Sequence, residues 1–159
     1  MENPTENPPA GWRNLPSWLL TQTAQHAHRL VADGFAGVGA RGYDFRLLAT
    51  LEEAGPLSQA GLSRRSGIHV SDLVAAINEL AGRGLVERAP DPSDRRRNII
   101  SLTAEGGRQL RRLERPLAEA QDALLAPLSP AERQQLTGLL SRLLDHHDRR
   151  NDEAEGPRR

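Results

Sequence analysis

The stretch GLVERAPDPSDRRRNIISLTAEG, residues 84 to 106, decides the fold. Gly84 ends a helical pattern. Leu85 to Arg88 and Asn98 to Leu102 are short β-type runs, and Ala89 to Arg97, rich in Pro, Asp and Ser, turns the chain between them. Thr103 then stands before a new helical pattern. The segment thus reads as a hairpin between two helices, and its turn carries three consecutive arginines, Arg95 to Arg97. Arginines held out on a rigid hairpin are presented to something beyond the chain.

Upstream, the apolar periodicity is helical. Leu73, Ile77 and Leu80 share one face of a helix over Val70 to Arg83. A shorter helix, Gln59 to Ser66, is capped by Ser58 and closed by Gly67. Before it, Tyr43 to Glu53 turns Leu47, Leu48 and Leu51 inward, and Gly55-Pro56 stops it. A first helix begins near Asn14 to Ser17, carries Trp18, Leu19, Gln22, His26 and Leu30, and is expected to end before the glycine-rich stretch Gly34 to Gly42. Downstream, a long helix from Thr103 repeats Leu110, Leu113, Leu117, Leu124 and Leu125, with Pro116 expected to bend it or shift its packing. Ser129-Pro130-Ala131-Glu132 is a capping box opening a last helix, whose stripe is Leu136, Leu139, Leu140, Leu143 and Leu144.

The predicted fold class is mainly α with a small β-hairpin wing. Residues 43–102 have the plan of a winged helix-turn-helix: a short helix, a tight turn, a second helix able to lie in a major groove, then the wing. Residues 12–42 form an N-terminal helix and glycine-rich loop, and 103–150 the C-terminal helices. The polar segments 1–11 and 151–159 are expected to stay disordered.

Composition agrees. The 159 residues balance 21 basic against 21 acidic side chains, and every basic one is arginine. The balance is not even along the chain. Residues 58–112 hold ten arginines and six acids, or +4, while the segments on either side are each −2. The positive third coincides with the helix pair and hairpin, which is where a polyanion would meet it. No cysteine is present, so disulfides and thiolate metal sites are excluded. No apolar run approaches the roughly 20 residues of a membrane span, and the acidic, proline-rich start does not read as a signal peptide. A cytoplasmic protein without membrane association is expected.

The run from Leu57 to Gly106, and above all GLVER-x-PDPSDRR-x₄-SLT-x-EG, resembles the MarR family of bacterial winged helix-turn-helix transcription regulators. The motif likeness covers about residues 43–112, and the helix order about 14–148. The resemblance implies a homodimer held by the interlocking terminal helices. It also implies a ligand-responsive DNA-binding regulator, a repressor on a pseudo-palindromic operator. The family's wing acid and arginine fall on Asp94 and Arg96: Arg96 would enter the minor groove while Asp94 braces the turn. The recognition helix falls on Val70 to Arg83, and it differs from many members by carrying Val70, Asp72 and Ala75 where basic or hydroxyl residues are common.

The expected DNA-binding residues are Ser58, His69, Ser71, Asp72, Asn78, Asp94, Arg95 and Arg96. Because the recognition helix has no arginine before Arg83, the wing is expected to supply most of the affinity. Proteins similar to this one often bind effectors where the first two helices meet the winged lobe, which directs attention to Trp18, His26, Tyr43 and Arg46. Aromatic walls beside a cation suit a small aromatic or anionic molecule. The competing reading for those residues is interface core, with Arg46 paired to Asp44, Glu52 or Glu53. His26 and His28 lie two apart and face different ways on a helix, and His146, His147 and Asp148 suit a helix C-terminus, so no metal site is expected. No spacing picks out a nucleophile with its base, and neither an enzymatic role nor a cofactor is expected. The alternative function is a winged-helix interaction module that no longer binds DNA.

Overall fold

The computed structural model describes residues 11 to 154, with side chains to residue 150. Of the segments expected to be disordered, residues 1–10 and 155–159 lie outside the described residues. Gly11 instead opens a 3-10 turn, Gly11–Asn14, and residues 151–154 continue the last helix. The elements are α1 (Pro16–Ala36), α2 (Gly42–Ala54), β1 (Leu57–Ser58), α3 (Gln59–Ser66), α4 (Val70–Gly82), β2 (Val86–Pro90), β3 (Asn98–Leu102), α5 (Ala104–Leu124) and α6 (Pro130–Ala154). They form two compact units, one through Leu124 and one from Leu125.

In the first unit, one apolar core collects the inward faces of α2, α3, α4 and α5 with the middle of the sheet. Leu47, Leu48, Leu62, Leu73, Ile77, Leu80, Ile100 and Leu113 are fully buried there. Each such side chain stabilises the fold by roughly 1.5–3 kcal/mol of transfer free energy. The turn between α3 and α4 is built as its sequence implies. Ser58 Oγ accepts from Gly61 N–H at 3.1 Å, and Gly67 takes the left-handed conformation, φ 66°. The Ser63 hydroxyl then donates to Ile68 O at 2.7 Å.

The sheet is antiparallel in the order β1-β3-β2. β1 is absent from the sequence reading because two residues carry no period; they become a strand only by pairing Leu57 with Ile100 and Ser58 with Ile99. β2 starts one residue later than expected and runs through Pro90, which pairs with Asn98. A proline is tolerated there because β2 is an edge strand.

The motif that closes the hairpin has a mechanical role. Gly84 adopts φ 73°. Thr103 caps α5: its hydroxyl donates to Gly84 O at 2.7 Å and accepts from Gly106 N–H at 3.0 Å, while its own N–H donates to Leu85 O at 3.2 Å. The start of α5 is thereby fastened to the start of β2.

α1 corrects an expectation: it does not end before Gly34 but runs to Ala36. Gly34 serves close packing rather than termination, since a Cβ there would stand 3.2 Å from the carbonyl oxygen of Pro116 on α5. The chain reverses later, at Gly39 (φ 68°), where Ala40 N–H returns to Phe35 O at 2.9 Å. Pro116 lies inside α5, which continues past it to Leu124.

In the second unit, α6 opens on the expected capping box: Ser129 N–H donates to Glu132 Oε2 at 2.8 Å, and Glu132 N–H to Ser129 Oγ at 3.2 Å. Leu139, Leu140, Leu143 and Leu144 are exposed in the single chain. Among the described residues no helix is long and apolar enough to cross a membrane.

Candidate nucleic-acid interface and adjoining clefts

The wing tip is a hydrogen-bonded turn. Asp91 N–H donates to Arg97 O at 2.8 Å, and Arg97 N–H to Asp94 O at 2.9 Å. Asp94 Oδ1 accepts from Arg96 N–H at 3.0 Å, and its Oδ2 lies 3.6 Å from Arg97 Nε. Asp91 accepts both the N–H and the hydroxyl of Ser93, at 2.9 and 2.7 Å, which holds its carboxyl below the usual carboxylate range. Asp91 and Asp94 thus order the turn from inside, and Arg95, Arg96 and Arg97 stand exposed on its outside.

At the head of α4, His69 is the N-cap. Its Nδ1 accepts from Ser71 N–H at 3.4 Å and lies 2.9 Å from Ser71 Oγ. Val70, Ser71, Asp72, Val74 and Ala75 are exposed, while Leu73, Ile77 and Leu80 are buried. Two turns beyond Ser71, Asn78 Oδ1 accepts from Arg88 of β2. His69, Ser71, Asp72 and Asn78 therefore share the outer side of one helix. Its two ends differ: Ser71 is engaged within the cap, and Asn78 is held to the wing strand.

The α1–α2 connection is clasped to the far end of α4. The Asp44 carboxylate, 3% exposed, accepts from Arg83 Nη1 at 3.0 Å and from Arg41 N–H at 3.1 Å. Arg83 Nη2 donates to Gly39 O at 3.2 Å, and Arg41 pairs with Glu79 at 3.0 Å. Asp44 thus belongs to Arg83, and Glu52 lies 3.7 Å from Arg111, so two of the three expected partners of Arg46 are engaged elsewhere. Arg41 is half of this clasp, through its N–H to Asp44 and its guanidinium to Glu79.

Beside the clasp, an apolar cleft of about 440 Å³ opens between α1 and α2. Tyr43 and Arg46 line it together with His28, Val31, Phe35 and Phe45. The rings of Phe35 and Phe45 are 6.3 Å apart. Two of the four residues expected here are elsewhere. Trp18 packs edge-on against Trp12, with centroids 5.4 Å apart, and His26 bonds Arg29 at 2.9 Å. Helical geometry accounts for the difference: positions two apart lie about 200° apart around the axis, so the helix that turns His28 into the cleft turns His26 out. The period Ala27, Val31, Phe35 marks the face of α1 that lines this cleft.

A second cleft, about 470 Å³, lies between α3 and the turn of the wing; Ser58, Arg64, Arg96, Arg97 and Asn98 line it. Arg64 did not stand out in the sequence, because nothing local connects it to residues more than thirty positions away.

This arrangement has counterparts. A sequence model of the MarR family matches residues 36–97. The HTH-type transcriptional repressor NicR of Pseudomonas putida is 30% identical over 101 residues, 64% of each protein. The matched stretch spans about half to two thirds of the length of the first curated relatives. Among solved structures, the PcaV transcriptional regulator of Streptomyces coelicolor, in complex with its natural ligand, is 30% identical with a TM-score of 0.73, covering 83% of this chain and 93% of that one. A mutant of MarR from E. coli, complexed with operator DNA, shares the fold at 22% identity and TM-score 0.73, over 80% and 92% of the two chains. With the wing motif, the helix order and near-full-length structural likeness in agreement, the chain belongs to the MarR family.

Proposed function

We propose that the protein is a homodimeric DNA-binding transcription regulator of the cytoplasm, a ligand-responsive repressor that reads a pseudo-palindromic operator and has no catalytic role. The observation that carries this reading is the braced turn that presents Arg95, Arg96 and Arg97 beside the exposed head of α4. Seating α4 in a major groove brings the wing to the adjoining backbone and minor groove, where weakly hydrated, forked guanidiniums bind well. The exposed leucines of α6 and the exposed Leu15, Leu19 and Leu20 near the start of α1 support the dimer, since each is an apolar surface that a second copy would cover.

Selection of bound sequences from random DNA tests the reading. Two half-sites about one turn apart, ~10 base pairs centre to centre, are expected. A lone half-site contradicts the dimer. Replacing Arg95 and Arg96 together by alanine should flatten the plot of log affinity against log salt by at least about two units, because each lost phosphate contact acts twice in a symmetric dimer. An unchanged slope in a correctly folded variant overturns the role of the wing. The acid-bearing face of α4, with Asn78 already held by Arg88, favours a second reading, an interaction module without DNA binding; failure of selection to enrich any sequence would support it.

The cleft at Tyr43 and Arg46 is proposed as the effector site, for a small aromatic carboxylate or phenol. Benzoate serves as a probe. It is expected to weaken operator binding by the wild type and to leave Arg46→Ala unaffected; the same response in both removes Arg46 from the site.

A further inference from the structure

We infer that the cleft between α3 and the turn of the wing is a clamp for one phosphate of the DNA backbone, with Arg64 as its third arginine. The inference deepens the DNA-binding reading above and rests on it. Arg64 comes from the helix that precedes the recognition helix, while Arg96 and Arg97 come from the turn of the wing. Three guanidiniums thus line one concave surface, and no carboxylate lines it with them. Asp94 approaches Arg97 at 3.6 Å through the turn, and Arg64 has no such partner among the described ion pairs. A cluster of three arginines with one carboxylate at its edge fits a compact anion with several acceptor oxygens, to which forked donors bind with charge assistance. Ser58 adds a directional donor. Its oxygen accepts from Gly61 N–H at 3.1 Å, so its hydroxyl hydrogen remains available to the cleft.

Position favours a backbone phosphate over a free anion. The two walls of the cleft are the elements that flank α4 in the chain, so DNA lying on α4 passes its backbone over them. The clamp also divides the work of the three wing arginines. Arg96 and Arg97 line the cleft and Arg95 does not, which leaves Arg95 for groove or flanking contacts.

The test measures affinity for the selected operator across a salt series, using the full-length protein. The proteins compared are wild type, Arg64→Ala, Arg97→Ala, the Arg64→Ala/Arg97→Ala double variant and, as control, Arg65→Ala. Arg64→Ala is expected to weaken binding roughly tenfold and to flatten the salt slope by about one to two units, counting both protomers. Arg64→Lys should keep the slope, because the charge stays, and lose affinity several-fold, because the fork is gone. Since both arginines hold one phosphate, the double variant should weaken binding by less than the product of the two single effects. Wild-type affinity and slope in Arg64→Ala, with its circular dichroism unchanged, overturns the clamp while leaving DNA binding intact. Strictly multiplicative effects overturn the shared phosphate. If inorganic phosphate at millimolar concentration competes equally against wild type and the double variant, the free-anion source is also excluded. A wild-type protein that binds no DNA fails the underlying reading, and the clamp with it.

Discussion

Gly106→Ala is expected to be the most damaging single-methyl change in the protein, lowering stability by about 3 kcal/mol or more. A Cβ at this position would stand 2.0 Å from the carbonyl oxygen of Leu85 and 2.7 Å from Leu102 Cδ1. The leucine methyl can rotate away. The carbonyl cannot, because it belongs to the backbone entering β2 and accepts from Thr103 N–H at 3.2 Å. Relief therefore requires α5 to lift off the strand, breaking the Thr103 cap and its bond to Gly84 O together. Overpacking typically costs about 1–3 kcal/mol, and a clash with immobile backbone belongs at or above the upper end. For a chain of this length that is a fall in Tm of roughly 10 °C. Gly82→Ala, in the last turn of α4, supplies the control. Nothing lies within 4 Å of a Cβ there, and the substitution should be neutral or stabilising by up to about 1 kcal/mol. Thermal melts of the two variants decide the matter: equal melting temperatures would show that the tight junction of α5 with β2 contributes nothing.

The second large effect is expected at Arg83. Arg83→Ala strips the Asp44 carboxylate of its charged partner and leaves it buried, with the Arg41 N–H as its remaining donor, and it removes the donor to Gly39 O. Breaking a fully buried pair from one side costs about 3–5 kcal/mol. The Arg83 side chain is 34% exposed, so solvent screens part of the interaction and about 2 kcal/mol is the expected loss. Asp44→Asn should cost less, because Arg83 can turn to water once its partner is neutral. In the Asp44→Asn background, Arg83→Ala should cost well under about 1 kcal/mol, since no charge is stranded. Urea midpoints at neutral pH check the order. An Arg83→Ala midpoint equal to wild type would mean that Asp44 is solvated in solution. The same residue closes α4 at its C-terminal end and ties it to the loop before Tyr43, so DNA affinity should fall along with stability if the recognition helix depends on this anchor for its orientation.

The helix-turn-helix and wing were legible in the sequence because their signals are local. Ser58 caps α3 through Gly61, three residues on; Gly67 supplies the positive φ that the turn requires; Ser129 and Glu132 bond reciprocally across one turn. In each of these a residue type and a spacing of a few positions are sufficient, since the partner is within reach whatever the rest of the chain does. The bracing of the wing by Asp94, which reaches only to Arg96 and Arg97, was instead what the family resemblance implied. The tertiary structure alone decided features that depend on which surfaces meet. Gly34 looked like a stop, yet α1 passes through it, because a glycine in a helix ends it or lets another helix approach according to whether Pro116 is packed there. Leu57 and Ser58 are a strand only where Ile99 and Ile100 lie alongside. Asp44 finds Arg83 across 39 residues, and Arg64 meets Arg97 across the turn and the whole recognition helix. His28 and Phe35 replace His26 and Trp18 in the cleft because the face of α1 that turns inward is chosen by its packing on α5. Such contacts follow from the relative placement of whole elements, a long-range property of the core that residue type and local spacing do not encode.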